Sequence, residues 1–556
     1  MPRIKIDNIP ILTVDYEHFR KTHWKSLSDY LINKYGKEEF TDAIEVEAIL
    51  LDAFQYLVNQ FRNILLAEKR FSFFLYVYWL HEQSVKVYLK TLGGYELEGI
   101  KANEFALNRR ILKLIAEQGC DIDFEWGKFP NGQEVLEMDV KIEELLYLGT
   151  WMYSIADMIA YQKMVEECKK IEFDEDDMLV VDWQYHYGEA YKELFPQLVE
   201  DYQKGTFDEQ AVAELKTAIE QCFDIDYNYA GGIIFEIQRH HNADNPTLQT
   251  IQPHVLPLNL VNYSKCSQAT AESFYNGLTI NRQNKLSIED AILKPHSVRR
   301  YMFRPILIYM IGGEDRALVG REKFAESVMV LGTNAIHWNA VPEEWLSNKC
   351  FRKFVDKKAR EHDRILEDKI EAILKEKGLL YTRNIKSFKQ FSGDNLRIDN
   401  PTCGEIDYIV VNLSIKKIFI ADSKYNRVRY EAVGFRMDYS NFIKTYESQL
   451  ERKIRWVTAN LNIIRDHLKI INGLEDLELD EFSIEGIFFI NTPTFYMFNG
   501  KYKAITLKQV PEFVEGKYEY PELMLIKEEK GYEMFMMVRH PYFQKPLIIE
   551  DPEDQE

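Results

Sequence analysis

The chain has 556 residues, 46% of them hydrophobic and 13% aromatic, and a net charge of −20. That is enough apolar material for large cores and too much for a disordered chain, and the length suggests two to four domains. The N-terminus lacks the long apolar stretch of a signal peptide, and the most apolar run, 71–80, is too short to span a bilayer, so no membrane partner is expected.

The six cysteines (120, 168, 222, 266, 350, 403) are scattered with no Cys-x-x-Cys. This pattern predicts reduced thiols in a cytoplasmic protein and argues against a zinc cluster or a disulfide scaffold. There is no internal repeat and no low-complexity block.

From about residue 43 to 92 apolar residues recur at helical spacing, among them Ile44, Val46, Ile49, Leu50, Phe54, Leu57 and Phe61. The run from Phe73 to Leu80 is apolar on every side and predicts a buried helix. Further helices are expected near 102–118 and 141–170, with Pro130-Asn131-Gly132 as a turn between them. The acidic stretch 171–180 reads as a solvated loop. Helices follow at 187–203 and 207–222, then Gly231-Gly232 and His240-His241, adjacent histidines that cannot share one ligand as an i, i+4 pair could. Prolines 246, 253 and 257 mark a linker or crossing loop. Arg299 to Ile311 predicts one or two buried strands, Gly312-Gly313 a tight turn, and 322–331 a helix. A domain boundary is placed near 340.

Past that boundary the charge changes sign. Residues 345–470 hold 26 Lys/Arg and 17 Asp/Glu, a balance of +9, which leaves −29 for the remainder. A local basic surface is the electrostatic footprint expected for polyphosphate binding. Here 350–377 predicts a long amphipathic helix closed at Gly378, and 379–384 a strand. Two strands joined by a polar turn follow: Gly404-Glu405-Ile406-Asp407 leads into the first, and the second ends in Asp422-Ser423-Lys424. Side chains alternate along a strand, so Asp422 and Lys424 share a face, and a paired Asp407 can reach it. A second long helix runs from about 442 to 468, closed near Gly473, and 483–491 is a buried strand.

The order helix, strand, strand, strand, helix, strand, with this triad, resembles the PD-(D/E)xK nucleases, the restriction-endonuclease-like superfamily, over about 345–495. No proline directly precedes Asp407, a departure frequent in that superfamily. This resemblance, joined to the patterns read upstream, implies an α+β multidomain chain. Its parts are a mainly helical sensor or oligomerisation region (1–245), an α+β connecting region (246–340), an α/β nuclease core of αβββαβ order (341–500) and a C-terminal extension with an acidic tail (501–556). It also implies Asp407, Asp422 and Lys424 as catalytic residues. Glu367, in Leu366-Glu367 upstream of Gly378, fits the family's first-helix glutamate, and Gln449 its helix glutamine.

In this reading Asp407, Asp422 and Glu367 hold Mg²⁺, with Mn²⁺ as a substitute. Lys424 orients or deprotonates the attacking water, and Glu405 is either an extra ligand or a structural partner of a nearby cation. Arg427, Arg429, Lys444 and Lys453 read as phosphate contacts or as a solvated basic face. His362 and His467 read as ordinary, partly exposed residues. The expected activity is endonucleolytic hydrolysis of DNA, with RNA cleavage or non-catalytic nucleic-acid binding as alternatives. A prokaryotic restriction or phage-defence effector, acting as a homo-oligomer, is the expected setting by analogy.

Overall fold

The computed structural model describes residues 3–6, 9–127, 129–184, 187–188, 208–241, 250–399, 401–427, 429, 431–520, 522–529, 532–542 and 547–548. The helix expected at 187–203, the stretch around Pro246 and the acidic tail lie outside the described residues, apart from positions 187–188. The architecture is mixed α and β. Among the described residues no helix is long and apolar enough to cross a membrane.

The N-terminal body is built on four long helices, α1 (Ala43–Ala67), α2 (Phe71–Leu92), α3 (Ala102–Gln118) and α4 (Gly132–Met164). Asp42 caps α1 by accepting from the Ile44 and Glu45 N–H groups. Phe73 to Tyr78 of α2 are all buried, as an all-round apolar helix must be. α4 begins at Gly132, well before the expected 141. Asn131 and Glu134 form a reciprocal capping box, so the Asn-Gly that reads as a turn is a helix start. The acidic stretch near 171–180 is the tip of a hairpin in which Lys169–Phe173 pairs antiparallel with Leu179–Trp183.

In the connecting region the expected strand begins only at Ile306. β1 (Ile306–Ile311) turns through Gly312 and Gly313, both at positive φ, into β2 (Glu314–Val319). The residues before it form turns because two of them are buried arginines on remote carboxylates, Arg300 on Glu117 and Arg304 on Glu344. α5 (Glu209–Phe223) and α6 (Arg321–Trp338) share a core with this hairpin, and shorter helices lie at Val255–Tyr263, Gln268–Gly277 and Ile288–Leu293. Gly231-Gly232 lies inside a helix, Tyr227–His241. The side chains of His240 and His241 lie outside the described residues.

No gap in packing marks residue 340. α7 (Lys349–Glu376) is capped by Asn348, which accepts from the Cys350 and Phe351 N–H groups, and is closed by Gly378 at φ +64°. Phe351 and Val355 near its start belong to the core of the connecting region. Leu366, Ile370 and Leu374 near its end belong to a core of the C-terminal sheet. Cys222 on α5 is disulfide-bonded to Cys350 on α7. This corrects the expectation of six reduced thiols: with the partners 128 positions apart, no sequence spacing signals the bridge. The other four cysteines are free and buried.

The C-terminal sheet has five strands in the order β3 (Leu380–Ile385), β4 (Ile406–Asn412), β5 (Lys417–Lys424), β6 (Ser483–Ile490) and β7 (Lys503–Thr506). The first two junctions are antiparallel, and the last two are parallel. A parallel neighbour needs a long crossover. Here it consists of α8 (Ala432–Asn441), a π-helical turn at Phe442–Tyr446, α9 (Glu447–Ala459) and α10 (Leu461–Asn472), where a single helix is expected. β7 lies beyond the expected limit of 500. Alternate residues face opposite sides: Tyr408, Val410, Phe419 and Ala421 pack toward α7, while Ile409, Val411, Ile418 and Ile420 pack toward α9 and α10. α8 packs Ala432, Val433 and Phe435 into the core of the N-terminal body, so the sheet is joined to that body as well.

Candidate active site

The register Tyr408↔Ala421 makes Asp407 and Asp422 the next cross-strand neighbours where β4 and β5 part. Both continue the side of Ile409 and Ile420, toward α9. Asp407 Oδ2 accepts from the Ser423 N–H at 2.7 Å, which holds its carboxylate over the start of β5's last turn of chain. Asp422 is fully buried. Lys424 shares its face, as the strand period requires, with its Nζ 3.3 Å from Asp422 Oδ2 and 4.6 Å from the centre of the Tyr446 ring. The three residues expected to act together are brought together.

A fourth residue occupies the middle. Lys453 of α9 donates to Asp422 Oδ1, and its Nζ lies 4.0 Å from Asp407 Oδ1. One carboxylate oxygen from each aspartate thus lies within 4.0 Å of a single point. Burial, then the Asp422 charge, raise the Asp407 carboxyl to about 7, against the pull of Lys453 and Lys424. Lys453 appears in the sequence only as one more basic residue. Its helical spacing from Tyr446 and Gln449, seven and four residues, is the signal that places the three on one face of the crossover. Gln449 is half-buried one turn before Lys453.

Glu367 is not brought to the pair. Its carboxylate accepts from Asn384 Nδ2 at 3.0 Å, and its carbonyl accepts from the Tyr408 hydroxyl. The reason is geometric: α7 covers the sheet face opposite to the one the aspartates share. One turn earlier, Asp363 senses the Lys424 charge, while burial raises its carboxyl. Glu405 pairs with Lys386 at 3.1 Å, the structural alternative of the two readings given above. Among the described residues, no group of three or more His, Cys, Asp or Glu side chains converges to hold a metal ion.

The expected phosphate contacts divide. Lys444 is exposed on the π-helical turn. Arg429 is engaged in a bidentate pair with buried Asp438, at 3.0 and 2.9 Å. Arg427 is half-buried, and burial followed by the Arg429 charge lowers it to about 10. Beyond them Glu431 lies 3.3 Å from His296 and 3.7 Å from Arg110, at the junction with the N-terminal body. His362 and His467 are buried rather than partly exposed. The His362 ring packs at a tilt against Tyr425, with centroids 3.9 Å apart, and His467 accepts from the Lys389 N–H at 2.9 Å, so both serve packing.

The donor set suits a hard divalent cation. Aspartate oxygens are its preferred ligands, and Asp422 Oδ2 is buried with the Lys424 ammonium 3.3 Å away and no hydrogen bond made. A cavity of about 430 Å³ beside Ile308 and Met310 of β1 is lined by neither aspartate. Comparison with known protein families, with curated proteins and with solved structures finds no match to this chain.

Proposed function

We propose that this chain is a metal-dependent nuclease that hydrolyses phosphodiester bonds in DNA, with a PD-(D/E)xK-type site on its C-terminal sheet. The observation that carries this reading is the convergence of Asp407, Asp422 and Lys424 on one face where β4 and β5 part. The basic balance of residues 345–470 supports a polyanionic partner.

Asp407 and Asp422 are the residues to hold Mg²⁺ or Mn²⁺. The ion supplies Lewis acidity toward the phosphate and an acidified water. Ser423 N–H fixes the Asp407 carboxylate. Lys424, steadied against the Tyr446 ring, places its ammonium beside Asp422, where it neutralises charge on an incoming phosphate and orients the attacking water. Gln449, one turn before Lys453 on α9, and exposed Lys444 on the π-helical turn are the further candidates for substrate contacts on the crossover.

One observation favours a second reading. Lys453 already pairs with both carboxylates, as in a purely structural ion cluster of a non-catalytic nucleic-acid-binding protein. Incubating the full chain with labelled duplex DNA, single-stranded DNA and RNA, in Mg²⁺ and in Mn²⁺, separates these readings. The nuclease cuts DNA, and Asp422→Ala and Lys424→Ala abolish cutting while binding persists. Cleavage of RNA alone assigns the substrate differently. No cleavage under any condition refutes the enzyme.

A further inference from the structure

We infer that Lys453 is a built-in counter-ion that competes with the divalent cation for the two aspartates, so that cation and nucleic acid bind cooperatively. This rests on the nuclease reading above. Lys453 is almost fully buried, contacts Asp422 Oδ1 and lies 4.0 Å from Asp407 Oδ1. Lys424 approaches the other Asp422 oxygen, Oδ2, at 3.3 Å. With both aspartates ionised, two ammoniums balance two carboxylates. A dication added to this set leaves an excess of two positive charges in a desolvated site, which is strongly unfavourable.

The two lysines differ in how they are held. Lys424 lies over the Tyr446 ring, 4.6 Å from its centre. Lys453 extends from α9 on four flexible methylenes, and its contacts at the site are the two aspartates themselves. Of the two, Lys453 is the group that can swing away when a cation takes the carboxylate oxygens. A phosphodiester supplies the missing negative charge and a new partner for the released ammonium. Linkage then requires each ligand to tighten the other by the same factor. In this scheme Lys453 is a positioning residue that keeps the cation weakly bound until substrate arrives.

The test uses the full chain stripped with EDTA, with free Mn²⁺ read by its EPR signal. Wild type should bind Mn²⁺ weakly alone. A phosphorothioate duplex, resistant to cutting, should tighten it at least about tenfold, after correction for ion taken up by the duplex itself; a tenfold change is about 1.4 kcal/mol. Lys453→Met should bind Mn²⁺ at least about tenfold tighter than wild type without nucleic acid, and the duplex should then add less. Lys453→Arg, which keeps the charge, should remain weak. Lys453→Met binding no tighter than wild type overturns the inference, as does a wild-type affinity that the duplex leaves unchanged. The second result needs no variant, so a poorly folding Lys453→Met does not shelter the idea. If wild type binds Mn²⁺ and Asp422→Asn does not, the nuclease reading survives that failure. If no form binds Mn²⁺ with or without the duplex, both fall.

Discussion

Replacing Asp422 by Asn and Lys453 by Met, singly and together, measures how far the cluster depends on mutual charge compensation. Asp422 has no exposed surface, and Lys453 is nearly as deep. At the 4.0 Å that separates Lys453 Nζ from Asp407 Oδ1, a unit charge pair is worth about 4 kcal/mol gross at an effective dielectric of 20. The contact with Asp422 is closer still. Desolvation offsets much of this, so the intact cluster adds little net stability. Removing one partner is another matter, because a buried charge is left uncompensated, at a cost of about 3–5 kcal/mol. Asp422→Asn leaves Lys424 without its carboxylate and Lys453 with only Asp407 at 4.0 Å, and Lys453→Met leaves Asp407 and Asp422 with Lys424 alone to offset them. The double variant relieves both faults. Its destabilisation should therefore fall short of the sum of the singles by about 2 kcal/mol. Urea unfolding followed by circular dichroism, in EDTA at pH 7.5, gives the three differences. A shortfall below about 0.5 kcal/mol, the scatter expected of independent sites, would refute the buried-cluster reasoning.

Other outcomes follow from single groups. Asp407 titrates near 7 in the fold, against about 3.9 unfolded. Between those values the folded state binds the extra proton, so this group's contribution to stability falls as pH rises through the window. Melting curves in EDTA from pH 4.5 to 8 should show wild type losing ground to Asp407→Asn as pH rises, and parallel curves would contradict the shift. Arg429→Ala strips buried Asp438 of its bidentate partner and should cost about 3 kcal/mol; a loss of nucleic-acid affinity at unchanged stability would instead restore Arg429 as a phosphate contact. Maleimide labelling of denatured, unreduced protein should count four thiols, with six only after reduction. Six thiols without reductant would exclude the Cys222–Cys350 bridge.

The local rules carried well where one element decides its own fate. Gly378 ends α7 at positive φ, and the period of two in β4 and β5 sends Asp422 and Lys424 to one side with the alternating apolar residues sorted between two cores. Legibility failed where the answer depends on two distant segments. Glu367 is correctly on a helix, yet that helix lies on the sheet face away from the aspartates, and element order cannot say which face. Phe351 and Leu366 share one apolar stripe but enter different cores, so a boundary drawn at 340 cuts through continuous packing. Lys453 is one basic residue among many in the sequence because its role depends on the crossover returning α9 to the two aspartates, 31 positions from Asp422. Asn131-Gly132 shows the same limit locally: the residues that favour a turn also favour a capped helix start.

In the proposed nuclease the aspartate pair cuts nucleic acid with the help of a divalent cation. One reaction series tests it most directly: wild type and Asp422→Asn, each with end-labelled duplex DNA, in Mg²⁺ and in EDTA, read for both cleavage and retained binding. Cutting is expected only from wild type in Mg²⁺, with the duplex still bound by Asp422→Asn. Cutting that persists in Asp422→Asn or in EDTA, or a wild type that binds and never cuts, would contradict it.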